Sequence, residues 1–469
     1  MSENAFKRQW LIAFAGHRAV ANPALAKAAL RRELDAMAAS LAGEIIGISS
    51  AAAGADLLFL TACQEAGYKT IVILPFSRDR FAADFDDPAE WKKASALIDS
   101  SWWHEIAQGN EDPPAAYHVV ARELLDLADR MIFLWDGQPA RGLGGTGETV
   151  ADALKWKIPA RLIDAVSLVG TWQAGGAPEA TGDRHFGNLP PATSVHSLFR
   201  DLDRRAVTRA PRSRWFNAGS MSINHIATFL QAILLALSIA KEMGGLIKFA
   251  LALIAACLPW IGARMRLQNS WVADRTRAEL LRSLLVSHEP GSPLHPPALE
   301  LFDEHASFLR SAALSLVPLR EGWSAARDRY LTERIDDQIR YLSQKGNHAQ
   351  SRLGLFNRIF QISSLGALLL GAAAIYCHLG KISFSSHVDV WALGFFPAIL
   401  PGIAAWSLAM ISVFEFKRRA IMYHQLVDEL KQLRPKLAGA ECASAAAALI
   451  RRCEHLLIHE LWEWHGAKN

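Results

Sequence analysis

Residues 142–149 read Gly142-Leu143-Gly144-Gly145-Thr146-Gly147-Glu148-Thr149; they follow an apolar run closing on Trp135-Asp136-Gly137 and open a helical pattern. Glycines let a backbone approach a phosphate closely, and a helix N-terminus adds unpaired N–H groups and a positive dipole end. Thr146 and Thr149 bring hydroxyl donors to the same place. The plain alternative is a flexible turn; the strand–loop–helix setting favours phosphate binding. No Gly-Lys-[Ser/Thr] follows, so this is not a Walker A loop, and the spacing is not that of the GxGxxG dinucleotide fingerprint. Two further stretches join it. Ser49-Ser50-Ala51-Ala52-Ala53-Gly54-Ala55-Asp56 again runs from strand to helix, its small residues leaving room for a ligand. Asp56 is read either as a ligand contact or as a favourable charge in a first helical turn. In Gly16-His17-Arg18 the guanidinium can grip a phosphate bidentately, and His17 is as readily a packing residue as a ligand contact. The candidate ligand-binding set is Gly16, His17, Arg18, Ser49, Ser50, Gly54, Asp56, Asp136, Gly144, Gly145, Thr146, Gly147, Glu148 and Thr149. No catalytic residue and no metal ligand is assigned.

These residues need a scaffold that gathers them. Continuous apolar runs at 10–15, 44–48, 69–74, 130–135 and 160–164 read as buried strands, and residues 24–41, 54–67, 115–128 and 148–157 as helices between them. Such alternation predicts an α/β Rossmann-like parallel sheet covered on both faces. Ligands in these sheets bind beyond the C-terminal strand ends, where the three stretches fall.

Together these features resemble the SLOG superfamily, Rossmann-like nucleotide-binding domains that include the DprA-like and LOG-like proteins. The resemblance covers roughly residues 8–165. It rests on the Gly54-Ala55-Asp56 helix start, the Glu65-Ala66-Gly67 helix end and the Gly-Gly-Thr-Gly-Glu loop. In LOG-like enzymes a Gly-Gly-x-Gly-Thr loop precedes a Glu that serves cleavage of an N-glycosidic bond. Glu148 is not at that spacing, so the resemblance implies a nucleotide or nucleotide-derived ligand without implying hydrolase chemistry.

Composition locates the rest of the function. The 469 residues carry 50 Lys+Arg against 46 Asp+Glu, a net charge of +4 with no long basic run, which argues against a nucleic-acid partner. With 51% hydrophobic and 20% charged residues, disorder as the main state is excluded. The five cysteines, Cys63, Cys257, Cys377, Cys442 and Cys453, form no CxxC pair, so neither a disulfide scaffold nor a zinc ribbon is expected. No signal peptide is visible. Four stretches, 215–240, 243–263, 359–380 and 390–414, approach or exceed the ~20 apolar residues that span a bilayer. Lys248 lies near the start of the second, where it can snorkel. Arg204, Arg205, Arg209, Arg212 and Arg214 precede the first hairpin, and Lys417, Arg418 and Arg419 follow the second, while the intervening turns contribute only Lys241 and Lys381. The positive-inside rule then places both termini in the cytoplasm and the chain in the inner (plasma) membrane as a multi-pass protein.

The hairpins read as copies. Trp215-Phe216-Asn217 and Leu355-Phe356-Asn357 open them, and amphipathic helices follow them, in which Glu279, Leu281, Arg282 and Leu284 align with Asp428, Leu430, Lys431 and Leu433. This layout resembles the SLATT group, two-membrane-helix effector domains with cytoplasmic helical tails, found with bacterial nucleotide-signalling conflict systems. The expected organisation is a nucleotide-binding domain at 1–165, an irregular connector at 166–213, and two-span units with cytoplasmic helices at 214–350 and 351–469. The expected protein is a nucleotide-sensing effector rather than an enzyme, one that permeabilises the inner membrane as a homo-oligomer, its partners being the ligand and the lipid bilayer. A membrane-anchored nucleotide or NAD glycosidase using Glu148 or Asp136 is the alternative, and a repeat-built transporter the second.

Overall fold

The computed structural model describes residues 6–107, 112–140, 142–173, 189–190, 192–237, 241–264, 267–287, 293–296, 302, 305–316, 322–382, 384–385 and 388–466. The chain divides into two compact units, one of residues 1–195 with 292–317 and the other of residues 196–291 with 318–469.

The first unit runs β1 (Gln9–Gly16), α1 (Pro23–Ser40), β2 (Glu44–Ser49), α2 (Ala55–Glu65), β3 (Lys69–Leu74), α3 (Arg78–Ala82), α4 (Pro88–Asp99), β4 (Trp103–Ile106), α5 (Pro113–Leu127), β5 (Arg130–Trp135), α6 (Thr146–Lys155), β6 (Ala160–Asp164) and β7 (Gly170–Gln173). The chain then forms α7 (Val195–Ala236), α8 (Lys241–Arg264) and α9 (Leu267–Ser287), returns for α10 (Ala306–Ser315), and ends with α11 (Trp323–Tyr330), α12 (Asp337–Leu379), α13 (Phe396–Val413), α14 (Phe416–Ala438) and α15 (Ala443–Gly466).

The seven strands lie in the order β4-β3-β2-β1-β5-β6-β7, parallel except for the antiparallel pair β6–β7. Successive side chains of a strand face opposite ways. On β1, Ile12 and Phe14 join the apolar layer of Leu30, Leu34, Phe59 and Phe81, while Leu11 and Ala13 join that of Val120, Leu124, Met131 and Phe133. Both faces are therefore covered, as the apolar runs predict. Residues 170–173 form a strand and 195–213 the first half of α7, so the described part of the expected connector is largely regular structure; residues 174–188 and 191 lie outside the described residues.

Segment 292–317 belongs to the first unit. Leu294 and Leu314 are part of the Val120 layer. The N–H of Gln9 donates to Ser311 Oγ at 3.0 Å, and the Arg310 guanidinium donates to the carbonyls of Leu127 and Asp126. Arg8, only 7% exposed, pairs with Asp129 at 2.6 Å and donates to the Ser307 carbonyl at 2.9 Å. Asp129 also accepts the Leu11 N–H. The sequence Glu289-Pro290-Gly291-Ser292-Pro293, with Pro296-Pro297, reads as a loop; of it the described residues show a turn at 293–296.

In the second unit α12 packs along α13 and α14. Two stretches, Trp323–Leu379 and Asp389–Ala438, are long and apolar enough to cross a membrane, and only 6% and 22% of their apolar windows are buried. Low burial separates them from the core helices of a soluble domain. The first hairpin supplies a shorter apolar stretch, Gly245–Leu258 in α8. Ser220 of α7 donates to the Ala255 carbonyl, and Trp406 Nε1 of α13 to Ser222 Oγ at 3.2 Å. The two long helices are of similar length: α7 has 42 residues and α12 has 43. The alignment of Glu279 with Asp428 sets the start of α9 opposite the start of α14.

A π-helical turn, Leu331–Asp336, precedes α12. It turns Arg334 onto Glu454 of α15, with guanidinium–carboxylate contacts of 2.9 Å, and the Tyr330 hydroxyl donates to the same carboxylate at 2.8 Å. Both charged groups are buried. Breaking such a pair leaves an uncompensated charge, at a cost of about 3–5 kcal/mol. Glu454→Ala is expected to lower the unfolding free energy of the second unit by that amount in detergent, read by hydrogen exchange across α15. The double change Arg334→Met with Glu454→Met is expected to recover most of the loss.

Candidate functional site

The order of the strands fixes where a ligand can sit. From β1 the chain moves outward through β2, β3 and β4, then crosses back to place β5 on the other side of β1. The loops after β1 and β5 therefore diverge and leave a crevice beyond their C-terminal ends, the usual ligand position in open α/β sheets. Gly16 pairs with Leu134 at the end of these strands, so the next residues meet across the opening. His17 Nε2 lies 3.0 Å from Asp136 Oδ1 and 3.1 Å from the Asp136 backbone N–H. A neutral ring accepts from that N–H, whereas a ring protonated at Nε2 donates to the carboxylate. The Gln138 N–H and, after it, His17 hold the Asp136 carboxyl below its ordinary range.

Arg18 follows and lays its guanidinium over the Tyr117 ring, 5.3 Å from the centroid. The Tyr117 hydroxyl donates to Asp84 at 2.6 Å. Burial, together with that acceptor, pushes the phenol well above its usual value, so it remains a donor.

The loop after β2 is built around Asp56. Gly54 stands at φ +84°, and a Cβ there would run into the Arg18 carbonyl; only glycine lets the two loops touch. Asp56, 5% exposed in the first turn of α2, accepts from Ser50 Oγ. Burial raises its carboxyl to about 6, against the opposing hydrogen bond from Ser50.

The glycine-rich stretch leads into α6. Gly144, at φ +77°, packs so closely on α5 that a Cβ would lie 2.6 Å from the His118 backbone nitrogen. Its N–H donates to Glu148 Oε2 at 2.6 Å, and Glu148 Oε1 is 3.4 Å from His118 Nδ1. The Gly145 N–H reaches the Gly142 carbonyl, and the Thr149 hydroxyl turns back to the Gly145 carbonyl. Glu148 and Thr149 thus hold the loop's shape, and Thr146 and Gly147 stand in the first turn of α6, where N–H groups have no acceptor within the helix.

All three stretches therefore stand beyond the C-terminal strand ends. His17 and Asp136 face one another directly; Ser50 and Asp56 form a second pair; Gly144 and Glu148 form a third. Sequence reasoning did not single out Asp84, Tyr117 or His118. Tyr117 and His118 lie inside the α5 pattern, and only the closeness of Gly144 to that helix brings them to the loops.

Residues 330–464 match the family described as SMODS and SLOG-associating 2TM effector domain 1. The match begins at Tyr330, beside the π-helical turn, and contains α12 to α14 and most of α15. No curated protein matches the chain. The C-terminal region is thus similar to a two-span membrane effector domain, and its exposed apolar helices point to membrane association.

Asp56 supplies a pH test. Its native value of about 6 lies above the ordinary 3.8, so the folded form holds the proton more tightly. The resulting stability is complete below about pH 4 and is lost as pH rises through 6, a swing of about 3 kcal/mol. The stability of the wild type relative to Asp56→Asn is expected to fall by about this amount between pH 4 and pH 7. Urea unfolding of the full chain in detergent, followed by hydrogen exchange of β2 and α2, measures it.

Proposed function

We propose that the protein is a membrane effector gated by a nucleotide or nucleotide-derived signal. The observation that carries the reading is the meeting of His17 with Asp136 across the β1/β5 crevice, with Arg18 and the start of α6 beside it. Arg18 and the Thr146 and Gly147 N–H groups bind the phosphates, and Asp136 and Asp56 contact the base or sugar. The first unit is a SLOG-like sensor. The family match at residues 330–464 supports one SLATT-like two-span unit, and the recurrence of a helix of just over 40 residues followed by a return helix and an amphipathic helix supports a second. The chain crosses the inner membrane four times with both termini in the cytoplasm, and ligand binding shifts a homo-oligomer toward a permeable arrangement. A ligand drives such a shift only through its different affinity for the two states.

Calorimetry of the detergent-solubilised chain against a panel of mono-, di- and cyclic nucleotides tests the sensor. Arg18→Ala is expected to weaken the binding nucleotide roughly 10–100-fold, the loss of one charge-assisted phosphate contact. Dye release from liposomes carrying the chain tests the output; release that no nucleotide alters would overturn gating.

Assembly has its own test. A Cβ at Gly371 meets nothing within 4 Å in the isolated chain, so a larger side chain is accommodated there unless a neighbouring copy packs on it. Gly371→Leu is expected to lower the oligomer mass in detergent while leaving nucleotide affinity unchanged.

A further inference from the structure

Away from the crevice, three side chains from distant parts of the first unit converge. Glu105 stands on the edge strand β4, Glu123 on α5, and His295 in the turn at 293–296. One donor atom of each lies within 4.8 Å of the others. His295 Nε2 is 3.2 Å from Glu123 Oε1 and 3.7 Å from Glu105 Oε1. Two donors bound to one zinc ion at 2.0–2.2 Å in tetrahedral geometry stand ~3.3–3.5 Å apart, a value that the two distances bracket. The carboxylates are mostly covered, with side chains 17% and 15% exposed, while His295 is 41% exposed and gives an ion a way in. A further contact orients the set. Trp103, two residues before Glu105 and so on the same side of β4, donates its indole N–H to Glu105 Oε2 at 2.7 Å, and Oε1 is the oxygen turned toward the imidazole. Such an outer hydrogen bond is how a ligating carboxylate is commonly fixed.

We infer that Glu105, Glu123 and His295 bind a divalent transition ion of the zinc class, which fastens the returning segment 292–317 to the sheet. One imidazole and two carboxylates suit Zn2+ better than Mg2+, which takes oxygen donors and keeps several waters. The three ligands leave a coordination position for water. The site is separate from the crevice residues and uses none of them. It adds a metal clamp to the contacts of α10, on the stretch of chain that joins the two helical blocks.

Chelator-stripped full-length protein in detergent, titrated with ZnCl2 alone, tests the site. Wild type is expected to take up one equivalent that His295→Ala lacks, Glu123→Gln is expected to bind at least tenfold more weakly, and His295→Cys, which keeps a zinc ligand, is expected to restore uptake. Hydrogen exchange of residues 305–316 is expected to slow on zinc addition in wild type and not in His295→Ala. His295 lies in an exposed turn, so its replacement leaves the fold intact. No uptake by wild type, equal uptake by His295→Ala, or MgCl2 binding as tightly as ZnCl2 would overturn the assignment; uptake without slower exchange would overturn the clamp.

Discussion

Strand β1 is gripped at both ends, and the first unit depends on that grip. At its start, buried Arg8 reaches Asp129, whose other oxygen accepts the Leu11 N–H, so the register between β1 and β5 is set before the strands run together. At its finish, the same register delivers His17 to Asp136. Sliding β1 by one residue would reverse which side chains face each apolar layer and separate the two groups that define the crevice. Ser307 and Ser311 of α10 lean on Arg8 and Gln9, so the returning segment reads the position of this strand as well.

The second unit follows another logic. Its long helices leave large apolar side chains uncovered, among them Phe249, Ile362, Leu368 and Tyr376. A surface of this kind suits lipid or a second chain. A buried polar set lies elsewhere in the unit, where Tyr330 and Arg334, ahead of α12, and Glu454, midway along α15, satisfy one another. At ~1.5 Å per residue, the 43 residues of α12 extend roughly 65 Å, about twice the ~30 Å hydrocarbon core of a bilayer. That helix is thus about twice as long as a bilayer requires, and α12 also packs along α14.

Local pattern made the centre of the sheet legible. The strands read at 10–15, 44–48, 69–74, 130–135 and 160–164 correspond to β1, β2, β3, β5 and β6 within a residue or two, because strands buried on both faces are apolar throughout. The edges were hidden for the same reason. Trp103-His104-Glu105-Ile106 and Gly170-Thr171-Trp172-Gln173 are short, partly exposed and mixed in character. The place of Leu294 and Leu314 was also beyond local reading, since nothing near them in the chain says which apolar layer they join. In the crevice, glycine spacing and strand ends revealed the loops. Their pairings needed the strand order, and Tyr117 and His118 carry no local mark inside an ordinary amphipathic helix.

The path of the chain bears on how this protein can be taken apart. The α/β unit is not one stretch of sequence: it is left at residue 195, rejoined at 292 and left again at 317. A fragment cut after β7 would keep all seven strands yet strip Leu294 and Leu314 from the Val120 layer and Ser311 from the Gln9 N–H. A soluble excised α/β unit therefore needs segment 292–317 spliced back through an artificial linker. By the same route, the first helical block is inserted between two parts of one α/β unit, so any block that replaces it has to leave that unit at residue 195 and hand the chain back at 292.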